Sequence, residues 1–262
     1  MCLIIFAHQC HPRYPLLLAA NRDEFFARPT AAAAFWPEHP DLLAGRDLRA
    51  GGTWMGVTRD GRFAAITNFR DPQRSEPGQR SRGELPLAYL VGHDSAEHCL
   101  ERIEASADAY AGFNLLLGHG EAMWYYSNAD ATGPVLLAPG IYGLSNASLD
   151  TPWPKVELGK QRMGTLLNQP VDHQRLQWTV QDPELAPEAD LHPLGLNEAM
   201  DRQLSAQFIR AGAYGTRATT TLWREPSGAL YWRECSFDDS GRQRAVVNET
   251  LAPAASPADG RD

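Results

Sequence analysis

A long apolar run is missing near the start of the sequence. Leu3 to Ala7 is far too short for a membrane span and has no basic region before it to make a signal peptide. A soluble, cytoplasmic protein without membrane insertion is expected. Basic charge is also scarce: 24 lysines and arginines face 32 aspartates and glutamates, a net charge of -8 at pH 7. Nothing in that balance attracts nucleic acid or an anionic membrane in general, so no nucleic-acid partner is expected. The four cysteines, at positions 2, 10, 99 and 235, form no C-x-x-C pair. This excludes a zinc ribbon, a thioredoxin-type redox site and a c-type haem attachment, and leaves reduced thiols as the expectation. The eight histidines are scattered, without H-E-x-x-H, so no metal site is expected. No Walker loop, G-x-G-x-x-G or G-x-S-x-G elbow is written either.

What is present is enough apolar material for a sizeable core, 43% hydrophobic residues with seven tryptophans. One domain over 1–250 is expected, followed by a disordered tail over 251–262, where Ala, Pro, Ser, Asp and Gly dominate. Leu3 to Ala7 and Pro15 to Ala20 predict an opening hairpin of strands buried on both faces. Thr53 to Thr58 and Arg62 to Asn68 predict a second hairpin around Arg59-Asp60-Gly61. Arg70 to Gly83, with four arginines and no large apolar residue, predicts a surface loop that covers a site. Helices are predicted over Leu85 to Val91 and Ala96 to Ile103, the second capped by Asp94 or Ser95, and again over Lys155 to Leu167. Strand character returns at Phe113 to Leu117, Met123 to Ser127 and Ile141 to Ser145. Val171 to Pro193 predicts irregular chain, and Leu196 to Gln207 a short helix. Tyr214 to Trp223, Ala229 to Phe237 and Arg242 to Val247 predict a closing β-meander. Two early hairpins, intervening helices and a late meander make an α+β class.

Cys2 carries the first chemical signal. Trimming of Met1 would leave one residue with both a thiol and a free α-amine, groups of ordinary pKa about 8.5 and about 7.7–8.0 that exchange a proton at little cost. The alternative is a small apolar residue opening a buried strand. Asn21-Arg22-Asp23-Glu24 ends the hairpin partner and so comes beside Cys2. With a period of two, Asn21 and Asp23 share one face and Arg22 and Glu24 the other. Asp23 could hold the ammonium, or the segment is a polar strand end. Asn68 and Asn146 finish predicted strands, where an amide can donate to an oxyanion or simply form a turn. Arg217, early in a buried-looking strand, calls for an anionic partner, with an ion pair to Asp23 as the structural alternative.

Six ordered stretches, MCLIIFAH, AANRDEFFARP, GGTWMGVT, AAITNFRDP, YGLSNASLDTPWPK and YGTRATTT, together resemble the NRDE family, also called the transport and Golgi organisation protein 2 family. That family is similar to the choloylglycine hydrolase and penicillin V acylase branch of N-terminal-nucleophile hydrolases. The resemblance implies a four-layer αββα sandwich of two antiparallel sheets. It implies Cys2 as nucleophile and base, Asp23 as the group orienting the amine, Asn146 as oxyanion donor and Arg217 as the basic residue by the thiol, with Asn21, Arg22 and Asn68 touching substrate. One position departs from the acylase pattern: the arginine expected three residues before the aspartate is Ala20 here. Two functions follow. One is a hydrolase of an amide or thioester of a small molecule that needs no cofactor. The other is a non-catalytic carrier of haem, acyl-coenzyme A or lipid, with a thiol or histidine on the iron and Trp36, Trp54 and Trp124 lining an apolar pocket.

Overall fold

The computed structural model describes residues 2–70, 79–196 and 198–252. Its first strands, β1 (Cys2–His11) and β2 (Tyr14–Phe25), form the expected opening hairpin but run longer than their apolar cores. Their flanking polar residues still pair, because neighbouring strands take up both edges. Two further strands were not read from the sequence: β3 (Thr30–Trp36) and β4 (His39–Asp47). β5 (Met55–Thr58) and β6 (Phe63–Asn68) follow as the predicted hairpin, with Gly61 at φ +89° in its turn. Helices α1 (Glu84–Val91) and α2 (Ala96–Glu104) come next, and Ser95 caps α2 by accepting the His98 N–H.

The chain continues through β7 (Phe113–His119), β8 (Ala122–Ser127), β9 (Val135–Leu136) and β10 (Gly140–Leu144) into helix α3 (Pro154–Leu166). The stretch expected to be irregular contains two short helices, α4 (His173–Trp178) and α5 (Glu188–Leu191); the helix expected over Leu196 to Gln207 is reduced to α6 (Ala199–Gln203). A short β11 (Arg210–Ala211) precedes the meander β12 (Tyr214–Arg224), β13 (Leu230–Phe237) and β14 (Gln243–Leu251). Leu251 is 1% exposed, so the strand extends past the expected start of the tail. The rest of the tail expectation lies outside the described residues from 253 on, and much of the arginine-rich loop lies outside them at 71–78.

The strands form two antiparallel sheets, one ordered β10-β1-β2-β12-β13-β14 with β11 on β12, the other β3-β4-β5-β6-β7-β8-β9. Three apolar layers hold them. Phe6, Leu18, Val57, Leu116, Leu222 and Trp232 pack between the sheets. Helices α1 and α2 cover the second sheet through Tyr89, Leu100 and Phe113. Helices α3 and α4 cover the first through Ile5, Leu17, Met163 and Leu176. This is the four-layer αββα, α+β arrangement, and it accounts for β1 and β2 being apolar on both faces.

Candidate functional site

Strand register places the reactive end of the chain. Cys2 pairs directly with Arg22, and Ile4 with Ala20, so Cys2 and Arg22 share the face that points between the sheets. Asn21 and Asp23 point the other way, toward the helical layer. The two alternating faces read from Asn21-Arg22-Asp23-Glu24 are therefore those of the strand.

Cys2 and Arg22 open onto a cleft of about 540 Å³, also lined by Asp23, Asn68 and Trp54 and by the rim residues Arg80 to Gly83. Arg22 is 6% exposed, and its guanidinium stacks on Trp54, 4.2 Å from the ring centroid. Gly45 makes room for that indole: a Cβ there would sit 2.2 Å from two of its atoms. Of the three tryptophans considered for an apolar pocket, Trp54 alone lines the cleft. Trp36 and Trp124 belong to the layer under α1 and α2. Among the described residues, no histidine lines the cleft and Cys2 is its one soft donor.

Asp23 is 3% exposed, with Oδ1 accepting a 2.6 Å hydrogen bond from the Thr216 hydroxyl. Its backbone carbonyl accepts from the Tyr214 hydroxyl at 2.9 Å. Burial raises its pKa, opposed by the positive charge of the chain terminus, Lys155, the Thr216 bond and Arg22. Burial likewise pushes the Cys2 thiol up; the terminal charge, Arg22 and a hydrogen bond from the Asp23 backbone N–H act against it. Lys155, the second residue of α3, was not singled out in the sequence. It is 3% exposed, donates to the Leu204 carbonyl at 2.9 Å, and has its pKa pushed down to about 8 by burial, against the pull of Asp23 and Cys2. Its sequence signal was a charge at the head of a helix that must bury one face.

Asn146, 1% exposed, faces Cys2 in an orientation that chemistry determines. Its Nδ2 donates to the Asn68 carbonyl at 2.8 Å, and its Oδ1 accepts from the Cys2 nitrogen at 3.4 Å. A carbonyl can only accept and an N–H can only donate, so the amide cannot be turned over. Ser145 donates to the Cys2 carbonyl at 2.9 Å from the same turn. Asn146 thus meets the nitrogen of Cys2 through Oδ1, while the Asn68 carbonyl takes one of the two N–H donors of its Nδ2. Asn68 itself lines the cleft.

Two expected residues lie elsewhere. Asn21 is saturated by protein, donating to the Val180 and Gln207 carbonyls at 2.6 and 2.8 Å and accepting from Thr219 at 2.7 Å. Arg217 is not beside the thiol. The β2–β12 register shifts between Thr216 and Ala218, leaving Arg217 as the extra residue of a bulge. It swings to the β2–β3 turn, where it donates to the carbonyls of Phe25 and Arg28 and to the Thr30 hydroxyl. Its partners are backbone and hydroxyl oxygens, and Asp23 is not among them.

The sequence matches the family described as Transport and Golgi organisation 2 over residues 1–239. The mouse Transport and Golgi organization 2 homolog is 34% identical over 95% of this chain and 97% of its own, and the bovine homolog is 35% identical over 95% and 98%. Among solved structures, an N-acylethanolamine-hydrolyzing acid amidase ortholog of Caenorhabditis elegans matches with a TM-score of 0.48 and 8% identity, covering 84% of this chain and 92% of that one. A mutant conjugated bile acid hydrolase of Clostridium perfringens matches with a TM-score of 0.44 and 12% identity over 99% and 100%. With the family matched along most of its length and two mammalian relatives above 30% identity, the chain belongs to the Transport and Golgi organisation 2 family.

Proposed function

We propose that the protein is an N-terminal-cysteine hydrolase of an amide or thioester of a small molecule. The observation that carries this reading is the nitrogen of Cys2, placed 3.4 Å from the Asn146 Oδ1 acceptor, on a residue that lines the cleft together with Asp23. Once Met1 is removed, that nitrogen is an α-amine. It takes the thiol proton, and the thiolate attacks the acyl carbon to form a tetrahedral oxyanion. Collapse breaks the acyl–N or acyl–S bond, and the ammonium returns its proton to the leaving group. Water, deprotonated by the same amine, then releases the acid and the free thiol. Asn146 orients the amine, Asp23 balances its charge, and donors on the cleft wall such as Asn68 serve the oxyanion.

A second reading, a carrier of haem, acyl-coenzyme A or lipid, has one observation in its favour: burial raises the Cys2 thiol pKa, which suits a resting thiol. For haem the fit is poor, because the cleft wall is mainly polar and charged and, among the described residues, offers Cys2 as its single soft ligand. Intact mass spectrometry of untagged protein, followed by trapping with amide and thioester substrates, tests the hydrolase. The expected outcome is loss of one methionine and a Cys2-linked acyl adduct that Cys2→Ala abolishes. Retained Met1 removes the base and overturns the mechanism.

A further inference from the structure

The charges lining the cleft do not balance. Among the described residues, five arginines face it (22, 28, 49, 80 and 82) against three carboxylates, Asp23, Glu24 and Asp47, in a chain whose net charge is -8. Arg28 takes two of those carboxylates, Asp47 at 2.6 Å and Glu24 at 3.8 Å. Asp23 is turned to Thr216, and Arg80 reaches out to Glu84 at 2.5 Å. Among the described residues, this leaves Arg22, Arg49 and Arg82 without a salt bridge to a carboxylate.

Two of the three reach toward the interior, Arg22 buried and Arg82 half-buried. The Nη1 of Arg22 is buried with no hydrogen-bond partner, in a residue 94% removed from solvent. Glu234 acts on it electrostatically, but its carboxylate is directed to the Ala33 N–H at 2.7 Å and the Thr220 hydroxyl at 3.5 Å. Arg82 donates to the Gly112 carbonyl at 2.9 Å and is half-buried. Burial lowers its pKa, and the charges of Cys2 and Glu24 raise it again, so it sits in electrostatic reach of the thiol. A buried guanidinium with an unmade hydrogen bond costs free energy that an anion entering the cleft would recover. Guanidinium is also the group whose fork matches a carboxylate or a phosphate.

We infer that the cleft is built for substrates carrying a carboxylate or phosphate group, which Arg22 and Arg82 hold beside Cys2 while Arg49 draws the anion in at the mouth. This rests on the hydrolase reading only for what the anion is attached to; anion binding itself needs no turnover. The cleft then discriminates against neutral acyl compounds, because a substrate without the anion leaves the Arg22 Nη1 desolvated and without a hydrogen-bond partner.

The test uses the full chain with Cys2→Ala, titrated calorimetrically at low ionic strength with glutarate in one arm and inorganic pyrophosphate in the other. Saturable binding of at least one probe is expected, weakened roughly tenfold by Arg82→Met or Arg22→Met and falling steeply with salt. The tighter probe tells carboxylate from phosphate. Should either interior variant fail to fold, Arg49→Met on its exposed turn decides through a smaller loss and a shallower salt dependence. The inference is overturned if neither probe binds saturably, or if binding is unchanged in folded Arg82→Met and Arg49→Met. A Cys2 acyl adduct formed from a neutral amide, with no anion binding, would sink this inference and spare the hydrolase. Anion binding without any adduct would do the reverse.

Discussion

Asp23, Lys155 and Cys2 show how burial sets chemistry at single positions. A buried lysine is expensive as a cation, and what Lys155 faces offsets part of that cost: the Leu204 carbonyl, the Trp153 ring 5.5 Å away and the charge of Asp23. Its pKa in the folded chain, about 8, lies below its ordinary 10.5. Between those values the unfolded chain binds more protons than the folded one, so this group makes stability rise with pH across that window. The Cys2 thiol, raised above its ordinary value, has the opposite sign: the folded chain keeps its proton longer, and stability falls as pH rises through the ordinary thiol range. Urea titrations from about pH 7 to about pH 10 in a Cys2→Ala background isolate the lysine. Stability should climb with pH there, and the climb should vanish in Lys155→Met. A flat profile in the parent would mean that Lys155 is solvated.

Among the elements, the turn between β4 and β5 and the chain entering α1 define the mouth of the cleft. They meet backbone to backbone. The Thr53 N–H donates to the Gly83 carbonyl at 3.0 Å, and a Cβ on Gly52 would fall 2.4 Å from that oxygen. No side chain can yield there, so Gly52→Ala should force the two segments apart at a cost of about 1–3 kcal/mol. Because Arg82 precedes Gly83, pyrophosphate binding should weaken along with the melting temperature. Gly51→Ala is the control for φ strain: Gly51 has φ +79° and open space around its Cβ. Equal effects of both substitutions on pyrophosphate binding would show that the close approach does not position Arg82.

At the scale of the molecule, stability resides in the layer between the sheets, which the cleft enters from one end. Phe6 is fully buried in that layer and stacks on Tyr142 at 5.3 Å. Phe6→Ala should cost about 3–5 kcal/mol, lowering the urea midpoint with an unchanged m-value if the two sheets unfold together. A changed m-value, or two transitions, would show the sheets to be separate cooperative units.

The sequence by itself determined the elements whose signal is local. The hairpin around Asp60-Gly61 needs a residue that tolerates positive φ, Ser95 caps α2 with its own hydroxyl, and the meander repeats turn residues between β-branched runs. The period of two also divided Asn21 and Asp23 from Arg22. Strands β3 and β4 escaped because TAAAAFW and HPDLLAGRD carry little strand propensity and are held by their neighbours in the sheet. The family resemblance brought Cys2, Asp23, Asn68 and Asn146 together on paper. Only the tertiary structure decided which atoms face which, because an amide orientation follows from partners distant in sequence. It decided Arg217 in the same way: one bulged residue in β12 sends that side chain to the β2–β3 turn, and no pattern in YGTRATTT records where a register slips. Lys155 and Arg82 became part of the site through burial, which sequence spacing does not measure: each is a cation made costly by the layers packed over it, and each is therefore tied to whatever charge shares its space.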